Sequence, residues 1–325
     1  MKAINLLPRL LITLMVLTSL VWAQDQKPPS SGEVDAAKKI QEAKGLPAKM
    51  KQSEEFMKKN SKSSLRPKVA EYMAKEIGDV NDPSQRLGHL QWYQKTFSAD
   101  SEQPYIAVAL VDSYANTDKL DDAFKLAPKA FEQQPDNIML LTNLAIKGSN
   151  VVRQGNAAYA DPSKQYAAKA IEMIEGDKKP SYVNDQYWAE IKTKWTPELH
   201  QALGFIAYAA GESAEAKMRF EKVAQLNPAN PNGYLMLATF ADGEYQRAAM
   251  DYNTASGAAK DAALKKAYGH MDQVIDYYAH VVAMTAPKPE FKQMHDQVLQ
   301  ALQESYKIRK GSLDGLQQLI DKYKK

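Results

Sequence analysis

From Pro67 onward the apolar residues recur at helical spacing, and strand-like alternation is nearly absent. That spacing is cut at Asp82-Pro83, Gln103-Pro104, Gln134-Pro135, Asp161-Pro162, Thr196-Pro197, Asn227-Pro228 and Asn230-Pro231. Proline lacks an amide hydrogen and its ring blocks the preceding turn, so it marks helix starts or ends. Where Asp or Thr precedes it, the side-chain oxygen can cap free amides of the first turn. The pattern predicts an all-α chain, with many helices of roughly 12–18 residues joined by tight turns.

The helices fall into repeating pairs. Residues 197–230 and 104–137 each span 34 positions. The first unit carries Leu203-Gly204, then Ala216, Phe220, Val223 and Pro228. The second carries Leu110-Val111, Tyr114, then Ala123, Ala127, Ala130 and Pro135. Large, small and aromatic residues on a first helix are followed by small and large residues on a second, with a closing proline. Two antiparallel helices approach closely only where a small residue faces a large one. This pattern resembles the tetratricopeptide repeat. The resemblance implies a helical-hairpin solenoid of stacked units, with roughly three as a minimum.

The chain departs from the family at several places. Pro135 and Pro228 are 93 residues apart, 25 more than two regular units of 34 would occupy. A third unit is expected with a first helix ending near Gln154, a second over 162–175 and an insertion over 176–195. After Asn230 another first helix precedes an irregular stretch over 242–260 and a long helix over 261–285. Residues 67–78 with 83–97, and 289–309 with 313–323, make the first and last pairs. His200 stands where the family favours Trp, Ala207 where it favours Tyr, and Pro128 lies inside a second helix.

The N-terminal sequence has a different texture. Lys2 and Arg9 precede a 13-residue apolar run from Leu10 to Trp22, and Val21 and Ala23 match a small-residue cleavage site. This is the layout of a secretory signal over 1–23, and the run is too short for a spanning helix of ~20 residues. The protein is therefore expected to be exported, periplasmic or secreted, with no integral span in the mature chain. Residues 24–66 read as a flexible, Lys-rich segment with short helices, and the solenoid as 67–325.

Composition removes several functions. The 325 residues hold 42 Lys+Arg and 39 Asp+Glu. Without Lys2 and Arg9 the balance is close to neutral, so no global charge favours nucleic acid. There is no cysteine, hence no disulfide, thiolate metal site or cysteine nucleophile. No nucleophile elbow, paired-His zinc motif or phosphate-binding loop is found. Among the histidines, Asp276 and His280 are four apart, but two ligands do not make a zinc site. Asp121-Asp122 and Glu54-Glu55 read as solvated charges. The expectation is a non-enzymatic chain with no catalytic residue, no metal and no cofactor.

Two surfaces remain as candidates. The insertion contains Tyr182, Tyr187, Trp188 and Trp195, which either cover the junction of two irregular repeats or form an aromatic lip for a partner. The family resemblance implies a concave groove lined by first-helix residues. These are Tyr105, Val108, Asp112 and Asn116 in one unit, then Met139, Thr142, Ile146 and Asn150, then Glu198, Gln201, Phe205 and Tyr208. The set contains no Lys or Arg, so it does not suit a C-terminal carboxylate, which needs donors or positive charge. It suits an extended peptide or partner helix. The resemblance thus implies a protein-interaction scaffold of the cell envelope whose partner is another protein or peptide. A small-ligand or glycan module using residues 182–195 is the alternative, and self-association through apolar end faces is a further route.

Overall fold

The computed structural model describes residues 28–286 and 288–324. The expected leader over 1–23 lies outside the described residues. Among the described residues the chain is all-α, with fourteen α-helices and no strand. It divides into two units, one up to Ile106 and one from Ala107.

The first unit contains α1 (Ser31–Glu42), α2 (Leu46–Lys59), α3 (Arg66–Gly78) and α4 (Pro83–Thr96). Ser30 and Glu33 cap each other's backbone at the start of α1. Asp82 accepts from the Gln85 amide at 2.7 Å, so the Asp-Pro start of α4 forms as expected. The Lys-rich segment forms α1 and α2, the short helices expected there. Ile40 of α1 and Phe56 of α2 are fully buried, in a unit whose core also holds Met73, Ile77, Leu90 and Tyr93. Lys49 donates to the Tyr72 hydroxyl at 2.6 Å and to Glu76 at 2.7 Å, and Trp92 Nε1 donates to Glu54 at 2.6 Å. The division between the two units falls after Ile106. Apolar residues are sparse over 33–60, and two large ones with a few polar ties suffice to dock the helices.

The second unit is a succession of helical hairpins: α5 (Ala107–Ala115), α6 (Leu120–Gln133), α7 (Ile138–Arg153), α8 (Ala160–Glu175), α9 (Asp185–Ala209), α10 (Ser213–Leu226), α11 (Pro231–Thr254), α12 (Gly257–Thr285), α13 (Lys292–Lys310) and α14 (Leu316–Lys322). The pairs α5/α6, α7/α8, α9/α10 and α11/α12 pack together, and α7 lies between α5 and α9. In the last pair both α13 and α14 pack on α12. This is the architecture of a helical-hairpin solenoid with irregular repeats.

Small residues set the spacing. Ala123, Ala127, Ala130, Ala167 and Ala216 have no exposed surface. A methyl group placed on Gly204 would lie 2.8 Å from the Phe220 ring, and one on Gly148 would lie 2.8 Å from Phe124 and 1.9 Å from the Ser163 hydroxyl. These distances are far inside van der Waals contact.

Two expectations about helix limits fail. Thr196-Pro197 does not start a helix: α9 begins at Asp185 and runs through Pro197. The Thr196 hydroxyl turns back to the Lys192 carbonyl at 2.7 Å instead of capping forward. An interior proline costs about 3 kcal/mol. Burial of Trp188, Ile191, Leu199 and Leu203 along the same helix offsets it. The stretch 242–260 is not irregular either. Residues 242–254 complete α11, and only Ala255 and Ser256 separate it from α12. Buried Ala241 and Ala248 give this polar-looking segment an apolar edge against its neighbour. By contrast, Pro128 lies inside α6, as expected, with its ring exposed between buried Ala127 and Ala130.

Gly204→Ala should destabilise the chain by about 1–3 kcal/mol, because overpacking outweighs the helix-propensity gain of about 1 kcal/mol. Phe220→Leu should partly rescue that variant. Urea unfolding of both single variants and the double variant checks this; additive losses would rule out the contact as the cause.

Candidate partner-binding surface

The surface begins with how α7 and α9 lie. At one end the Tyr187 hydroxyl of α9 meets Met139 Sδ of α7 at 3.3 Å. At the other, the Arg153 guanidinium of α7 sits 4.9 Å from the centre of the Phe205 ring of α9. Residue numbers rise together between these contacts, so the two helices run parallel. On α7 the residues Met139, Asn143, Ile146, Asn150 and Arg153 share one helical face at three- and four-residue spacing. They form a half-buried to exposed strip beside α9.

Amides extend this strip towards α5. Asn143 donates to the Asn116 side-chain oxygen at 3.5 Å, and Asn116 donates to Asp112 through its own amide at 3.0 Å. Asn143 was not among the positions transferred from the family, which gave Thr142. A helix turns 100° per residue, and that single step decides burial. Thr142 is 4% exposed, and its hydroxyl has no hydrogen-bond partner among the described residues. Asn143 takes the surface place. The signal was legible in the spacing of Met139, Asn143, Ile146 and Asn150.

The remaining groove residues divide by environment. Val108 is half-buried beside the α5/α6 core, and Tyr105 is exposed within the first unit. Glu198 is exposed; Gln201 accepts from Asn230 at 2.9 Å and so braces the start of α11. Phe205 is buried, edge-on to Phe220 at 5.1 Å, and offers a partner almost no surface. Tyr208 is exposed and sits edge-on to Phe240 at 5.8 Å. Arg153 adds a cation at this end that the family positions did not contain.

The aromatic insertion works as a brace. The Tyr182 hydroxyl accepts from the Ile138 amide at 3.0 Å and donates to the Asp136 carbonyl at 3.1 Å, fixing the first turn of α7. Burial pushes that hydroxyl's pKa up to about 12. Trp188 is buried, and its Nε1 donates to Asp177 at 2.8 Å. The Lys192 ammonium and this indole N–H hold the Asp177 carboxyl below its usual range. Tyr187 and Trp195 are half-buried and meet edge-to-face at 6.1 Å. Trp188, Tyr187 and Trp195 pack into the junction of α7, α8 and α9, whereas most of the Tyr182 side chain stays exposed.

Several charged groups have structural partners. Asp121 and Glu54, read from sequence as solvated, accept hydrogen bonds from Tyr159 and Trp92. His280 is stacked between Tyr234 and Tyr323, while Tyr323 donates to Asp276. Among the described residues no group of three or more His, Asp or Glu is placed to hold a metal ion. Surface cavities of about 400 and 500 Å³ lie against α12 and α13, around Tyr268 and Arg309 and around Tyr278 and Met294, away from the strip.

No protein-family model matches the chain, and no curated protein matches it in sequence.

His200 supplies a pH test of the scaffold under the strip. It is 5% exposed, and its Nδ1 faces the Arg219 guanidinium at 3.2 Å. Desolvation first, and the Arg219 charge second, lower its pKa from 6.5 to about 4. The unfolded chain therefore binds a proton that the folded chain refuses between those values. Stability is complete above pH 6.5 and falls as pH drops towards 4, by up to about 3 kcal/mol from this group. H200Q, which keeps an acceptor for Arg219, should lose less stability over that window in urea titrations. Equal losses in both chains would contradict the buried neutral imidazole.

Proposed function

We propose that this chain is a non-enzymatic, tetratricopeptide-like scaffold of the cell envelope, which holds a partner protein along the α5–α7–α9 strip. One observation supports this most directly. Asn143, Asn150, Ile146 and Tyr208 lie open or half-open on the first helices of consecutive hairpins, in a mixed polar and apolar row. An extended peptide presents backbone donors and acceptors that side-chain amides can match, and apolar side chains for the neighbouring positions. A partner helix would use the same row through its apolar stripe. The 34-residue pattern supports the family reading, since closely packed small residues stand where the resemblance expects them. Export rests on the leader-like layout of residues 1–23. Among the described residues no helix is long and apolar enough to cross a membrane.

Photocrosslinking residues placed at Asn150 and Tyr208 in cells of the source should trap one dominant protein. The same residue at Lys129, exposed on α6, should not trap it. N143A with N150A should weaken that partner about tenfold or more while leaving the melting temperature within a degree or two, since both side chains lie at the surface. Equal labelling at Lys129 and Asn150, or no protein adduct at either strip position, would overturn the reading.

A further inference from the structure

Glu198 differs from the other acids of this part of α9. Glu190 pairs with Lys194 at 2.5 Å, Asp185 with Lys179 at 2.5 Å, and Asp177 in the preceding loop with Lys192 at 2.5 Å. Glu198 is exposed, and no ion pair or hydrogen bond to its carboxylate is found among the described residues. Desolvation nevertheless raises its pKa above the usual carboxylate range, with no cation pulling it back. Glu198 lies on the line of α9 that carries Tyr187 and Phe205, the two residues that meet Met139 and Arg153 of α7. Eleven residues separate it from Tyr187, close to three helical turns, so the two share one face of α9. Trp195 stands one turn before it on an adjoining line of the helix, half-buried with its edge contact to Tyr187. The strip cation Arg153 is held over Phe205, seven residues on and therefore about 10 Å away along the helix. At that range salt screens it strongly from Glu198.

We infer that this part of the strip receives an arginine or lysine side chain from an extended basic segment of the partner, with Glu198 as its counter-ion and Trp195 as the flanking ring. The inference rests on the proposed reading of the strip as the partner-binding surface. An apolar partner residue would cover Glu198 and leave an unpaired carboxylate buried, which is strongly unfavourable. An acidic one would add repulsion. A cation removes both costs. A guanidinium also matches the carboxylate with two parallel hydrogen bonds and packs against an indole. Asn143 and Asn150 on the facing helix are then placed to meet the backbone of the same segment.

The test is selection of a randomised decapeptide library on the full chain, followed by affinity measurement of the winners on E198Q, E198K and N143A/N150A. All variants change exposed or half-exposed side chains, and their melting curves confirm folding. The expected result is enrichment of Arg or Lys at one register position, a loss of about tenfold or more in E198Q, and a preference for Asp or Glu at that position in E198K. Winners that weaken in N143A/N150A but carry no basic position and bind E198Q unchanged would overturn this inference and leave the strip standing. Winners indifferent to every variant, or no enrichment at all, would overturn the strip reading and this inference with it.

Discussion

The hairpins of the second unit depend on side chains that are nearly absent. Gly204 lets the Phe220 ring lie against the backbone of α9, and Gly148 admits Phe124 and Ser163 against α7. With alanines at the buried positions of α6, α8 and α10, these contacts bring paired helices close enough for large residues to fill the grooves between them. A methyl group at either glycine would meet rings that have little room to retreat, and the displacement would pass to the neighbouring hairpin.

That spacing also controls the candidate surface. The strip exists because α7 and α9 lie side by side over many turns, and two devices fix their register. The Tyr182 hydroxyl pins the first turn of α7, and Arg153 over Phe205 ties its end. The insertion that breaks the 34-residue rhythm thus lengthens α9 and braces α7. Its buried Trp188 and Ile191 help offset the cost of Pro197 in mid-helix. What looks like irregularity in the repeat is the means by which one pair of first helices presents an extended face.

Much of the fold was legible locally. Helix pairs over 67–97 and over 138–175 follow from proline, cap and apolar spacing, because those signals act within a single turn. The errors have one origin. Thr196-Pro197 carries the local signature of a start, and 242–260 carries the polarity of a loop. Both are helical because distant residues bury one edge of them. Phe56 tells the same story for α2: a lone large residue says little in sequence, yet it decides that the Lys-rich helices belong to a core.

The sequence by itself determined the all-α class, the hairpin rhythm and the small-residue contacts, since each is written in neighbours a few positions apart. It also carried most of the strip, for residues on one helical face follow from arithmetic. Tertiary structure alone decided which members of that face stay open. It turned Thr142 inward and Asn143 outward, buried Phe205 beneath Arg153, and left Glu198 exposed and unpaired. Burial and charge pairing depend on which helices meet, and that is set by packing across long stretches of chain, beyond the reach of any local pattern.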